Sequence, residues 1–187
     1  MKTRYISPFA ILVLSVLCIP QMSHAYFTTN QSAVRINEHT ALYAIEYAFG
    51  LIKQDIYMPV VATRTTSETP VPKIAGYSIV EDDAGVIQNG TTYGMVVSNA
   101  PIVDSMYKIE KGKAQKMTLY IIYTTASTTP EMDYKLQMDS LPFYVDVNGT
   151  GDMTKLQTRQ LNPSELQYYV TRNVELNSKA ATVEVPI

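Results

Sequence analysis

The chain has 187 residues, 46% of them hydrophobic, with 15 basic and 17 acidic side chains and a formal net charge of −2. That length supports one domain with a sizeable core, and a mildly acidic balance gives no electrostatic footprint for nucleic acid or an anionic membrane. With a single cysteine, an internal disulfide is excluded.

The N-terminus reads as an export signal. Met1-Lys2-Thr3-Arg4 is a short positive region, an apolar run follows over residues 9–19, and Pro20-Gln21 breaks it. Ser23 and Ala25 then supply the small residues a signal peptidase requires at −3 and −1. The run is too short to span a bilayer as a mature helix. Cys18 is preceded by Leu17, where a lipoprotein signal carries a small residue. Residues 1–25 are therefore expected to be removed. Residues 26–187 are expected to form a single domain that is secreted, either extracellular or periplasmic, with no later insertion into a membrane.

From there the pattern has period two. Tyr43, Ile45, Tyr47 and Phe49 alternate with Leu42, Ala44, Glu46 and Ala48; Tyr93, Met95 and Val97 share one spacing; Met117, Leu119, Ile121 and Tyr123 share another, as do Tyr134, Leu136 and Met138. Alternation of this kind marks half-buried strands. Asn89-Gly90, Glu110-Lys111-Gly112-Lys113 and Asn148-Gly149 are turn chemistry between them. The spacing predicts strands near 27–36, 41–50, 56–64, 73–81, 91–99, 115–125, 133–138, 142–147, 153–160, 166–176 and 181–186. Only Asn162-Pro163-Ser164-Glu165 reads as a short helical turn. Many short strands at intervals of roughly 8–12 residues indicate an all-β sandwich or barrel, and the sandwich is favoured.

Candidate chemistry is narrow. Without residues 1–25 the chain keeps one histidine, His39, and no cysteine. His/Cys zinc sites, thiol nucleophiles and two-histidine acid–base pairs are then excluded. His39 lies in a polar turn, and no Gly-x-Ser-x-Gly elbow accompanies it. Glu81-Asp82-Asp83 could serve a carboxylate-based hydrolase acting on carbohydrate, but an acidic turn closed by Gly85 explains it fully. Asp146-Val147-Asn148-Gly149-Thr150-Gly151-Asp152 resembles the start of an EF-hand or dockerin calcium loop. Asp146, Asn148 and Thr150 would be the first ligands, and Asp152 would bind through its carbonyl. The twelfth position is Gln157 instead of a closing carboxylate, and a plain hairpin turning through Asn148-Gly149 is the competing reading. Calcium is the one cofactor the sequence raises. Among fourteen tyrosines, Tyr57, Tyr168 and Tyr169 are the candidates for an exposed binding surface.

Leu161-Asn162-Pro163, followed by Tyr168-Tyr169-Val170, resembles the corner of immunoglobulin and fibronectin type III domains, in which a tyrosine pins a Greek-key crossing. The chain as a whole resembles secreted bacterial immunoglobulin/fibronectin-type-III-like β-sandwich proteins. That resemblance implies an immunoglobulin-like antiparallel β-sandwich with Greek-key connections, and no activity.

The expected function is an exported, non-catalytic binding or surface/assembly module, with an extracellular or cell-surface partner. The alternatives are the carboxylate-based hydrolase and a calcium-stabilised adhesive domain. Residues 181–187 read as a terminal edge strand carrying Pro186, paired within its own chain. The protein is expected to be mainly monomeric, with assembly through that edge as the variant. N-terminal sequencing of the exported protein should begin at Tyr26; a start at Cys18 would instead mean a lipid-anchored form.

Overall fold

In Thr40–Phe49, strand β2, the residues Ala41, Tyr43, Ile45, Tyr47 and Phe49 are buried; in Gln115–Thr124, strand β10, the inward set is Met117, Leu119, Ile121 and Tyr123. Period-two alternation therefore gives each strand one core face. The computed structural model describes residues 26–65, 75–81, 85–126, 131–161 and 168–176, with backbone alone for 26–29. Strands β1 (Tyr26–Asn37) and β7 (Thr91–Ser98) flank β2 and β10 in an antiparallel four-stranded sheet of order β1-β2-β10-β7.

The second sheet is built on β11 (Met132–Val145). Its first half pairs with β5 (Ala75–Glu81) and β13 (Val174–Leu176). Its second half pairs with β3 (Ile56–Pro59) and β12 (Gln157–Leu161). The short strands β4 (Ala62–Arg64) and β6 (Gly85–Ile87) border β5. The hairpin of β8 (Ile102–Val103) and β9 (Met106–Ile109) extends β3. No α-helix occurs among the described residues, and none of their helices is long and apolar enough to cross a membrane. The only helical turn in them is a 3-10 turn at Met153–Lys155.

The all-β expectation holds, with corrections. The β4–β5 pair is parallel, so the second sheet is mixed and not purely antiparallel. The expected strand over 56–64 is broken at Val60-Val61 into β3 and β4. This follows Pro59, which has no N–H to donate to a ladder. The segments 133–138 and 142–147 are one strand. Residues 153–160 begin as the 3-10 turn, and of the described part of 166–176, residues 168–176, only Val174–Leu176 is strand, with Val170 bridging singly to Gln137. The helical turn at 162–165, Asp82-Asp83 and the terminal strand at 181–186 lie outside the described residues.

Both inner faces meet in one core that is rich in tyrosine: Tyr43, Tyr47, Tyr77, Tyr123 and Tyr134 are all buried. The Tyr123 and Tyr134 rings pack at 5.3 Å and 58°. The Arg64 guanidinium lies 5.8 Å from the Tyr123 ring centroid and donates to the carbonyls of Ile87, Asn89 and Gly90. This clamps the turn into β7. Gly90 there has φ +75°, and a Cβ on it would lie 2.5 Å from the Thr124 carbonyl oxygen, so only glycine fits.

The buried hydroxyls differ in what they gain. Tyr43 donates to the Tyr134 carbonyl at 2.9 Å, whereas the Tyr47 hydroxyl meets no partner among the described residues. Tyr43→Phe should cost about 1 kcal/mol, and Tyr47→Phe should be neutral or slightly stabilising. Urea unfolding of the two variants checks this; the reverse ordering would contradict the hydrogen-bond assignment.

Candidate functional site

Strand β2 ends at Phe49, and residues 50–55 cross to β3 with Ile52 turned into the core. The pairing of Ile56 with both Ile109 and Val145 sets which ends become neighbours. Asp55 stands just before β3, Lys111 just after β9 and Asp146 just after β11, and the three meet. Asp55 joins them. One carboxylate oxygen accepts the Lys111 N–H at 2.7 Å, and the other faces the Lys108 ammonium at 2.8 Å. The Asp55 carbonyl accepts the Asp146 N–H at 3.4 Å, and the Gly112 N–H donates to the Ile52 carbonyl at 3.1 Å. Burial pushes the Asp55 carboxyl up, but the Lys108 and Lys111 hydrogen bonds and both charges outweigh it and hold it below the ordinary aspartate range. The Lys108 ammonium is raised in turn, chiefly by its bond to Asp55.

The opposite wall is the connection from β11 to β12. Asp146 is buried and folds back on its own loop, accepting the Thr150 N–H at 3.2 Å and the Gly151 N–H at 2.7 Å. Gly149 (φ +64°) and Gly151 (φ +69°) supply the left-handed steps, which turn successive N–H groups inward as a nest for an anion. The nest is filled by the protein's own carboxylate. Between the two walls opens a cleft of about 640 Å³, lined by Lys53, Gln54, Lys108, Lys111, Asn148 and Thr150 among others.

The sequence-predicted residues are distributed as follows. Asn148 and Thr150 are exposed at the loop tip, and the Thr150 hydroxyl oxygen accepts the Asp152 N–H at 3.3 Å. Asp152 caps the 3-10 turn: its carboxylate accepts the Thr154 N–H at 3.0 Å and the Thr154 hydroxyl at 2.6 Å, and pairs with Lys155 at 3.1 Å. Asp146 and Asp152 are thus engaged by separate donors, and the loop is the tip of a hairpin between paired strands. Among the described residues no group of three or more His, Cys, Asp or Glu is placed to hold a metal.

Tyr57 is corrected: it is buried between its register neighbours Lys108 and Tyr144, so its ring offers no exposed face. Tyr168 and Tyr169 are half-buried, and Tyr169 packs on the core while its carbonyl accepts the Met138 N–H at 2.9 Å. Tyr57 lies at the far half of β11 from them. His39 sits in the β1–β2 turn, where its N–H donates to Asn37 and its carbonyl accepts from Thr125, each at 2.9 Å.

A second surface escaped the sequence. Tyr93, Met95 and Val97 do share a face, but it is the outer one, exposed to 64%, 42% and 46%. Registration continues it across the sheet. Val34, Leu42, Ile122 and Tyr93 form one row, and Ala44, Tyr120 and Met95 the next. The Asp55 cluster also escaped; the only local signal was the hydrophilic run Lys53-Gln54-Asp55 between two apolar stretches. Comparison of the chain with family models, curated proteins and solved structures returns no significant match.

Asp55→Ala should lower stability by about 1–2 kcal/mol at neutral pH, as expected for hydrogen bonds to a partly exposed charge. Because the folded carboxyl titrates below its unfolded value, this contribution is complete above about pH 4. It fades as pH falls through the folded value. Urea unfolding of both proteins at neutral and strongly acid pH should show the gap closing in acid. A gap of constant size would contradict the ion-pair origin.

Proposed function

We propose that the protein is an exported, non-catalytic binding and assembly module on an immunoglobulin-like sandwich, and that it associates with a second copy of itself through the outer face of the four-stranded sheet. The observation that carries this reading is the apolar character of that face. Val34, Ile122, Tyr93, Met95 and Val97 are exposed in register on one surface, and contiguous apolar surface of this kind marks an interaction site. Tyrosine and methionine are also the residue types enriched at interface centres.

Charge and area favour a second copy as the occupant. The chain is acidic overall, but the charged side chains on the described part of this face are Glu46 and Lys116, paired at 3.1 Å, so two copies meet without a net charge on either side. Four strands at ~4.8 Å spacing and eight residues at ~3.3 Å rise cover about 500 Å². Two such faces bury about 1,000 Å², the lower limit for a specific interface. Dilute protein is then mainly monomer and concentrated or surface-tethered protein is paired. The signal-like pattern of residues 1–25 supports export.

Sedimentation across a wide concentration range tests the reading. The expected result is reversible dimerisation that Tyr93→Lys with Met95→Lys abolishes without changing the melting temperature, since both side chains are exposed. A strictly monomeric wild type at the highest concentrations, or a dimer indifferent to both substitutions, would overturn it.

A further inference from the structure

We infer that the cleft beside Asp55 is a binding site for an oxyanion: a carboxylate, sulfate or phosphate group carried by a small polar molecule. The argument rests on which charges in the cleft are already satisfied. Three lysines, Lys53, Lys108 and Lys111, line it together with two carboxylates, Asp55 and Asp146. Asp55 already accepts from the Lys108 ammonium and the Lys111 N–H. Asp146 already accepts from the Thr150 and Gly151 N–H groups. On the cationic side, the Lys53 ammonium makes no hydrogen bond or ion pair among the described residues, and the Lys111 ammonium meets Asp55 through its charge alone. Lys108 uses one of its three N–H donors on Asp55. Each carboxylate thus already holds two donors, whereas two of the three ammonium groups donate no hydrogen bond among the described residues.

A divalent cation finds the opposite. It would have to share Asp146 with the Thr150 and Gly151 N–H groups or Asp55 with Lys108, while facing three lysines. An oxyanion meets those ammonium groups directly and gains the Gln54 and Asn148 side-chain amides from the same lining. The volume of about 640 Å³ lies within the range of ordinary small-molecule sites. Its walls are fixed by the Gly112–Ile52 and Asp146–Asp55 backbone bonds and by the Lys111 N–H on the Asp55 carboxylate, so the lysines project from anchored turns. This site is separate from the apolar face, and neither inference depends on the other.

The test is an amide NMR titration of residues 26–187 at low ionic strength with inorganic phosphate, sulfate and glucuronate in separate arms. Saturable shifts should appear at Lys53, Gln54, Lys111 and residues 148–151, and weaken as salt is added. Lys53→Ala with Lys111→Ala should weaken the affinity at least about tenfold. The control pair Lys113→Ala and Lys155→Ala, whose ammonium groups bind Glu110 and Asp152 outside the cleft, should leave it unchanged. Saturation by glucuronate alone would identify an acidic sugar as the source of the oxyanion, and saturation by phosphate alone a phosphate ester; both support the site. If the alanine pair alters the fold, Lys53→Gln alone carries the comparison. Non-saturating shifts with every anion, equal losses in both pairs, or saturable shifts with calcium chloride in place of the anions would overturn the inference.

Discussion

Strand β11 runs for 14 residues and pairs with four other strands, yet it changes which side chains face the core halfway along. Up to the middle, Tyr134, Leu136 and Met138 are buried in the core; beyond it the core residues are Leu141, Phe143 and Val145. The register shift lies between Met138 and Ser140, so Asp139 is the extra residue of a bulge. A one-residue insertion reverses the face of everything after it. Without it, Phe143 and Val145 would turn to the outside, and the mate of β3 would present Pro142 and Tyr144 to the core. The bulge is held from outside the ladder, since Asp139 accepts from the Ser78 hydroxyl and from the Gln137 amide.

The Asp55 corner is a consequence of the same register. With Tyr57 opposite Tyr144 and Ile56 opposite Val145, the residues just beyond the pairing, Asp55 and Asp146, are placed side by side. The pairing of Ile56 with Ile109 delivers the Lys111 N–H from the third direction. The Asp55 carboxylate then fastens its own segment to Lys108 and Lys111, and the Asp55 carbonyl takes the Asp146 N–H from the third. An exposed ion pair alone contributes little. Here the backbone N–H of Lys111 is added to the Lys108 pair, and a charge-assisted bond to backbone is among the stronger kinds.

Alternation made the central strands legible because each has one wet and one dry face: the spans expected at 41–50, 91–99 and 115–125 lie within a residue of β2, β7 and β10. It divided β11 in two for a physical reason, since the phase reversal at Asp139 looks like a strand end. The β8–β9 hairpin went unseen because its turn is Asp104-Ser105, with φ of 47° and 62°, where a glycine is the usual signal. The Asp146 loop was visible as a turn and as an acidic motif. What its carboxylates accept was not, because donors in a turn and in a metal shell follow the same sequence spacing. The Asp55 cluster combines three loops distant in sequence, and no local pattern encodes their meeting. Tyr57 shows the limit of reading residue type alone: its strand β3 is buried on both faces, which a four-residue segment cannot reveal.

Alternation also fixes what lies opposite the core. In a sheet with one covered face the other is normally polar, and at its two ends the outer face of the four-stranded sheet conforms. Thr40, Thr124 and Thr91 form one end row, with Thr40 and Thr124 hydroxyls 3.1 Å apart, and Glu46 with Lys116 marks the other. The middle rows depart from the rule, and their apolar side chains add nothing to a core that the inner set already fills. Their position relative to the cleft matters for function. The cleft opens where β2 ends and β10 begins, beside residues 53–55 and 108–111. The apolar rows run from Val34 to Tyr93, centred nearer the threonine end. The proposed contact over those rows does not involve the lysines that line the cleft, so the proposed pairing and the proposed anion site do not exclude one another.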